Sequence, residues 1–384
     1  MNKPAKITDV EIKDALKTAI AATREIVPVF GNKFKLANSE NNFYVPGENK
    51  CWTSGFHTGL YWLAWEQTKD DVFKEAALKH VESFYNRIVN NIVVDHHDMG
   101  FLYSLSCVAA WRLFGDETAK KAAIMAADKL ASRFHKKGQF LQAWGELGAP
   151  DNYRLIIDCL MNLPLLYWAA DVTGNKTYAE IADAHTATSL NNLVRDDYST
   201  YHTFFFDMET GAPLKGVTMQ GYKDSSPWAR GQAWGVYGLA LSYHYTKDPK
   251  CIDLFYKVTD FFIEHSPADM ISYWDLCFGD GDGEPRDSSA AAIAACGMLE
   301  MAKHLPQDKA EYYTGVAKQI AGSLARDYVP KPGESNGLIL HGVYNKKSPY
   351  NPTIDIGVDE CTTWGDYFWV ELLVRLSGEW GMYW

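Results

Sequence analysis

Four short junctions recur along the chain: Thr68-Lys69-Asp70, Phe114-Gly115-Asp116, Thr173-Gly174-Asn175 and Thr246-Lys247-Asp248. Leu305-Pro306-Gln307 is a weaker copy. Each joins a stretch rich in Ala, Gly, Trp and Tyr to a charged, amphipathic one. A unit repeated at this scale is a supersecondary block stacked on its neighbours, and here the block is a helical hairpin. Its first member, such as GQAWGVYGLALSYHY at 231–245, is apolar all round and must be buried. Its second, such as DVFKEAALKHVESFYNRIV at 71–89, has one apolar face and lies outside.

The pattern predicts inner helices over 52–68, 98–114, 155–173, 228–246, 288–305 and 362–377. Outer helices are predicted over 71–90, 116–134, 176–194, 249–265 and 307–328. One more amphipathic helix opens at the capping box Thr8-Asp9-Val10-Glu11, carries Ile12, Leu16, Ala19, Ile20 and Ile26, and ends at Pro28. Twelve helices in six hairpins make an all-α fold, an (α/α)6 barrel, spanning 1–384 as one domain. Ser199–Asp207 reads as a strand, half of a small β-hairpin in a long loop. Tight turns lead from inner to outer helices, and long loops (28–51, 135–154, 195–227, 266–287, 329–361) lead back. All six inner helices therefore begin at the long-loop end, where functional residues belong.

The formal net charge is −11 and no run of Lys or Arg tracks a phosphate backbone, which disfavours nucleic acid as a partner. Thirteen Trp and 22 Tyr exceed what a core needs and suit a flat-faced ligand such as a sugar. Seven scattered Cys without a Cys-x-x-Cys point to reduced thiols. The N-terminus lacks an apolar leader segment, and no stretch has the length of a membrane span. A cytoplasmic monomer or weak homo-oligomer, with no membrane partner, is expected.

Unusual residues gather at the starts of the inner helices. Asp158 lies within the apolar run Ile156-Ile157-Asp158-Cys159-Leu160-Met161, where burial raises a carboxyl pKa and suits a general acid. Asp98 follows His96 and His97. A helix cap, or for Asp158 a buried partner of Arg154, accounts for either Asp alone. Two at adjacent inner-helix starts favour a catalytic pair. Side chains adjacent in sequence are not expected to converge on one ion, so no metal is expected at His96-His97-Asp98.

These features accompany seven stretches: WTSGFHTGLYWLA at 52–64, HHDMGFLYSLS at 96–106, AWGE at 143–146, IIDCLMNLPLLYWA at 156–169, HTFFFD at 202–207, MQGYKDSSPWARGQAWGVYG at 219–238 and DSSAAAI at 287–293. Taken together they resemble the unsaturated glucuronyl hydrolases of glycoside hydrolase family 88. The resemblance implies an (α/α)6 barrel without metal or organic cofactor. It implies that Asp158 is the general acid/base and Asp98 the second essential carboxylate. His202 and Gln220 match polar groups around the uronate. Trp52, Trp144, Trp228, Arg230 and Trp234 match the sugar-contacting set, with Tyr344 a looser match. Arg230 is the candidate partner of the substrate carboxylate.

The implied substrate is a di- or oligosaccharide with a 4,5-unsaturated uronate at its non-reducing end, as lyases leave it. Relatives that favour sulfated disaccharides tend to carry Arg before the Gln and a Ser-x-x-Ser-x-Lys stretch. Here those positions hold Met219, then Ser348, Asn351 and Thr353, so only Ser348 is kept. A strong sulfate preference is therefore not expected unless Lys346 or Lys347 compensates. The rival readings are an unsaturated rhamnogalacturonyl hydrolase, an inverting glycosidase and a non-catalytic sugar-binding toroid.

Overall fold

The computed structural model describes residues 4–384. Among the described residues there are twelve α-helices: α1 (Asp9–Phe30), α2 (Ser54–Thr68), α3 (Asp71–Val89), α4 (99–114, with a π turn at Ser104–Val108), α5 (Glu117–Ala131) and α6 (Pro164–Thr173), then α7 (Thr177–Asn192), α8 (Ala229–Thr246), α9 (Pro249–Glu264), α10 (Ser288–Ala302), α11 (Gln307–Ser323) and α12 (Thr363–Ser377).

The recurring junctions work by one device. Lys69, Gly115, Gly174 and Lys247 adopt the left-handed conformation that stops a helix. The Asp that follows three of them then caps the next helix: Asp70 accepts from the Val72 amide, Asp116 from Ala119 and Asp248 from Lys250. Asn175 does the same for the Thr177 amide at 3.1 Å.

The even-numbered helices form a closed inner ring, each packed on the next and α12 on α2. They are buried on all sides, as the all-round apolar pattern requires; every residue from Ala229 to Ser242 in α8 is buried. Five hairpins are consecutive in the chain. The sixth joins its two ends, because α12 packs on α1. The C-terminal Trp384 is buried inside the barrel, stacked on Phe368 with ring centroids 6.0 Å apart.

Three expectations need correction. The third inner helix does not begin at 155. Arg154–Ile156 is a strand, Ile157–Met161 a 3-10 turn, and the α-helix starts only at Pro164. A continuous apolar run does not distinguish strand from helix. Its β-branched Ile156 pairs with Thr203, and Pro164, lacking an N–H, suits a first helical position. Secondly, the strand is shorter than expected, Thr203–Phe206, and the hairpin it forms with Pro213–Val217 is extended by a third strand. The strand is the middle of a three-stranded antiparallel sheet, between Arg154–Ile156 and Pro213–Val217. Thirdly, α1 passes Pro28 and ends at Phe30, before Gly31 at φ 57°. Pro28 and Arg24, whose carbonyl loses its donor, are both exposed, so water can satisfy it.

A hairpin of Gly342–Asn345 and Ile356–Glu360, not expected from the sequence, crosses the long-loop end. Among the described residues no helix is long and apolar enough to cross a membrane, and all seven cysteines are free.

Candidate active site

The long-loop end holds a cavity of about 900 Å³, open to solvent, at which the segments leading into α2, α4, α6 and α8 meet. Asp98 and Asp158 both line it. Asp98 stands immediately before α4 but does not cap it, since its side chain accepts no bond from that helix's amides. Instead it turns back to the two histidines. His96 Nδ1 lies 3.2 Å from Asp98 Oδ2 and accepts the Asp98 backbone N–H at 3.2 Å, while His96 Nε2 faces the Val93 carbonyl at 3.0 Å. His97 Nε2 lies 3.3 Å from Asp98 Oδ1 and 3.4 Å from Asp158 Oδ1. His97 thus stands between the two carboxyl groups.

The side chains of His97 and Asp98 therefore do converge, contrary to the expectation for sequence neighbours. With Asp158 they place three donor atoms within 4.8 Å of one another. Convergence needs a third residue from the next segment, which no local spacing reveals.

The two carboxyl groups are shifted in opposite directions. Burial pushes the Asp158 carboxyl well above the usual range, and the negative charge of Asp98 pushes it further; Arg230 acts the other way. Burial also opposes charge on Asp98, but His97, His96 and Trp144 outweigh it and hold that carboxyl below its usual value. His97 is neutral near pH 7, held down to about 4 chiefly by burial. The site thus favours the charge on Asp98 and the proton on Asp158. The Asp158 side chain is 18% exposed, towards the cavity, whereas Asp98 is 2% exposed.

A single side chain positions both segments. Asn162, fully buried, accepts the Phe101 amide of α4 at 2.7 Å and donates to the Asp158 carbonyl at 3.1 Å. Gly100 permits this approach, because a Cβ there would meet Asn162 Cα at 2.4 Å. Asn162 was not among the residues singled out; no local pattern marks it.

The structure brings Trp52, Trp144, His202, Gln220, Trp228, Arg230, Trp234 and Tyr344 to the same cavity. Trp144 is 36% exposed and stacks on His96 at 4.2 Å with the rings 3° from parallel. Trp52 donates its indole N–H to the Tyr344 hydroxyl at 2.9 Å and stacks on Trp364 behind it. His202 Nε2 meets Gln220 Oε1 at 3.3 Å, and Gln220 donates to Asn345 on the 342–345 strand. Ser348 stands apart. It is buried outside the cavity wall, its hydroxyl bonded to the Tyr222 carbonyl and to the Tyr350 and Asn351 amides.

Arg230, at the start of α8, lines the cavity with its guanidinium 4.4 Å above Trp228 and 4.8 Å from Trp364. Its N–H groups are already engaged, with the Val343 carbonyl, the Tyr344 carbonyl at 2.8 Å and Asp287 Oδ2 at 3.5 Å. Asp287 and Arg154 are further residues the sequence did not single out for the site. Arg154 lines the cavity with its guanidinium over Phe205, and among the described residues no carboxylate pairs with it. Its Nε is buried without a partner.

A carboxyl group that holds its proton beside one that favours its charge, in a Trp-lined cleft of an (α/α)6 barrel, is the equipment of an acid–base glycoside hydrolase. A family model described as Glycosyl Hydrolase Family 88 matches residues 27–351. The chain belongs to that family. It is 47% identical over 381 residues to an unsaturated chondroitin disaccharide hydrolase of Streptococcus agalactiae, covering 98% of this chain and 94% of that one. It is 40% identical to an unsaturated glucuronyl hydrolase of Bacillus sp. strain GL1, covering 97% and 98%. The crystal structure of the Streptococcus agalactiae unsaturated glucuronyl hydrolase superposes with a TM-score of 0.94 at 47% identity, covering 99% of this chain and 95% of that one. A mutant of the enzyme from that species, complexed with dGlcA-GalNAc6S, superposes with a TM-score of 0.87 at 44% identity, with the same coverage.

Proposed function

We propose that this cavity hydrates the vinyl ether of a 4,5-unsaturated uronate, with Asp158 as the general acid and then the general base. The chain removes that uronate from the non-reducing end of lyase-generated glycosaminoglycan disaccharides. The observation that carries the mechanism is the pairing of Asp158 with Asp98 across His97. Burial and the Asp98 charge keep a proton on Asp158. That proton passes to C4 of the sugar and leaves an oxocarbenium-like cation at C5. The Asp158 carboxylate so formed takes a proton from water as the water adds to C5. The resulting hemiketal opens and expels the aglycone. One group serves as acid and base in turn. The ionised Asp98 accepts hydrogen bonds from the sugar hydroxyls and orients the ring.

Trp144 offers a partly exposed ring face for sugar stacking. His202 and Gln220 flank the uronate, and Arg230 and Arg154 supply positive charge for its carboxylate. The cytoplasm is the proposed location, supported by the seven free cysteines, and the proposed state is a monomer or weak homo-oligomer. The test follows the ultraviolet absorbance of the conjugated uronate in lyase-generated disaccharides. It should disappear with time as the ring opens. Unchanged absorbance alongside cleavage of saturated glycosides would make the chain an inverting glycosidase.

A further inference from the structure

We propose that His244, Glu300 and His304 form a binding site for a borderline divalent transition ion such as Zn²⁺, at the opposite end of the barrel from the active site. His244 lies in the last turn of α8. Glu300 lies in the last turn of the neighbouring α10, and His304 in the turn that follows it. Three atoms, one from each side chain, lie within 4.8 Å of one another. His244 Nδ1 is 3.4 Å from Glu300 Oε1.

The hydrogen bonding points to a ligand. His244 Nδ1, Glu300 Oε1 and His304 Nε2 are all buried atoms without a hydrogen-bond partner. Glu300 itself is 1% exposed. Buried polar atoms are rarely left unpaired, and here three unpaired ones converge. Two imidazole nitrogens and a carboxylate oxygen are a zinc donor set, with the fourth position left to water. The half-exposed His244 opens that position to solvent. Mg²⁺ and Ca²⁺, which want oxygen ligands, fit poorly. The carboxyl ends of two inner helices add negative potential.

The other oxygen of Glu300 is taken by Lys303 Nζ and Arg375 NH1, each at 2.7 Å. Arg375 is also bonded to Glu371 Oε1 at 2.8 Å. These contacts fix the carboxylate so that Oε1 stays aimed at the histidines. Their positive charge opposes the ion, so the site should bind more weakly than a thiolate site.

The test is calorimetric titration of chelator-stripped protein with ZnCl₂. It is run on the Asp158→Asn variant as well as wild type, which removes one donor of the His97 cluster. Asp158→Asn should bind one equivalent of Zn²⁺. Adding His244→Ala and His304→Ala should abolish that binding or weaken it at least tenfold. In the otherwise wild-type protein the same pair should leave turnover unchanged. Co²⁺ at the site should show the visible absorption of tetrahedral coordination, absent in the double-His variant. Zn²⁺ should raise Tm in wild type and not in that variant. No stoichiometric binding by Asp158→Asn, or binding indifferent to the two histidines, would overturn the proposal. The cluster would then be a His244–Glu300 ion pair only.

Discussion

The side-chain oxygen of Asn162 accepts the Phe101 backbone N–H at 2.7 Å, and this bond ties together the segments that carry Asp98 and Asp158. The other end of the amide donates to the Asp158 carbonyl. Asn162→Leu keeps the volume but leaves both partners unpaired in a dry interior. Each unsatisfied buried group costs about 1–3 kcal/mol. The denaturation midpoint should fall accordingly, and kcat should fall with it because Asp158 loses its register against Asp98. A variant that loses stability but keeps full kcat would show that the spacing is held by packing alone.

Asp158→Asn keeps the shape and removes the proton. General acid–base groups contribute roughly a hundred- to ten-thousand-fold in rate, and one group acting in both steps belongs at the upper end or beyond. Turnover should be nearly abolished while the intact disaccharide still binds, visible in a soaked crystal. Asp98→Asn should also lose most activity, through the lost orientation of the ring. Turnover by Asp158→Asn within a few-fold of wild type would refute the assigned role.

The pH dependence has a defined sign. Asp158 is raised by burial and by the Asp98 charge, so activity should hold through mildly acidic pH and fall as pH rises through the Asp158 pKa. Removing the Asp98 charge should move that alkaline limb of the residual activity to lower pH. The same shift bears on stability. A carboxyl raised in the folded state binds its proton more tightly than in the unfolded chain, where its pKa is about 3.9. Its contribution is therefore present below that value and lost as pH rises through the folded pKa. Asp158→Asn should raise Tm relative to wild type near neutrality, with the gain vanishing towards pH ~4. A constant Tm difference across that window would contradict the raised pKa.

The barrel was legible because its junctions repeat. Lys69, Gly115, Gly174 and Lys247 stop one helix, and the Asp or Asn that follows caps the next, all within three residues. Asp98 and Asp158 were legible as misfits in apolar surroundings. The 3-10 turn that carries Asp158 was not, because helical periodicity and strand pairing compete over the same apolar run. His97 and Asn162 were not legible either. Their partners lie about 60 positions away in the chain, and only the packing of α4 against the 157–161 turn brings them together. Asp287 stands behind Arg230 for the same reason.

Arg230 and Arg154 should separate in kinetics. The N–H groups of Arg230 are engaged with Val343, Tyr344 and Asp287, so its charge reaches the substrate from within the wall. Arg154 has the freer fork, its NH1 facing only the Asp151 carbonyl at 3.3 Å. A hydrogen bond to a charged group contributes about 1.5–3 kcal/mol. Arg154→Ala should therefore raise KM for the unsaturated uronate about tenfold or more, with a smaller change in kcat. Arg230→Lys keeps the charge but cannot hold both strand carbonyls, so it should lower kcat as well as raise KM. If Arg154→Ala leaves KM unchanged, the carboxylate rests on Arg230 and Gln220.

Sulfate tolerance follows from what faces the cavity near the 342–345 strand. Met219 and Thr353 line it, where Arg and Lys would meet a sulfate group. Asn351 is turned away, donating its amide to the Gly221 and Lys346 carbonyls at 2.8 and 2.9 Å. The Ser348 hydroxyl is consumed by the Tyr222 carbonyl and by the Tyr350 and Asn351 amides of its own loop. Lys346 lies 4.0 Å from Asp355, and Lys347 is exposed. Neither Lys346 nor Lys347 lines the cavity. Unsulfated disaccharides should be turned over at least as well as 6-sulfated ones, measured as kcat/KM on a matched pair. Thr353→Lys places an ammonium on the cavity wall and should raise kcat/KM for the 6-sulfated substrate selectively, with a gain that shrinks as salt is added. A clear preference of the wild-type enzyme for the sulfated substrate would mean that Lys346 or Lys347 swings in to hold it.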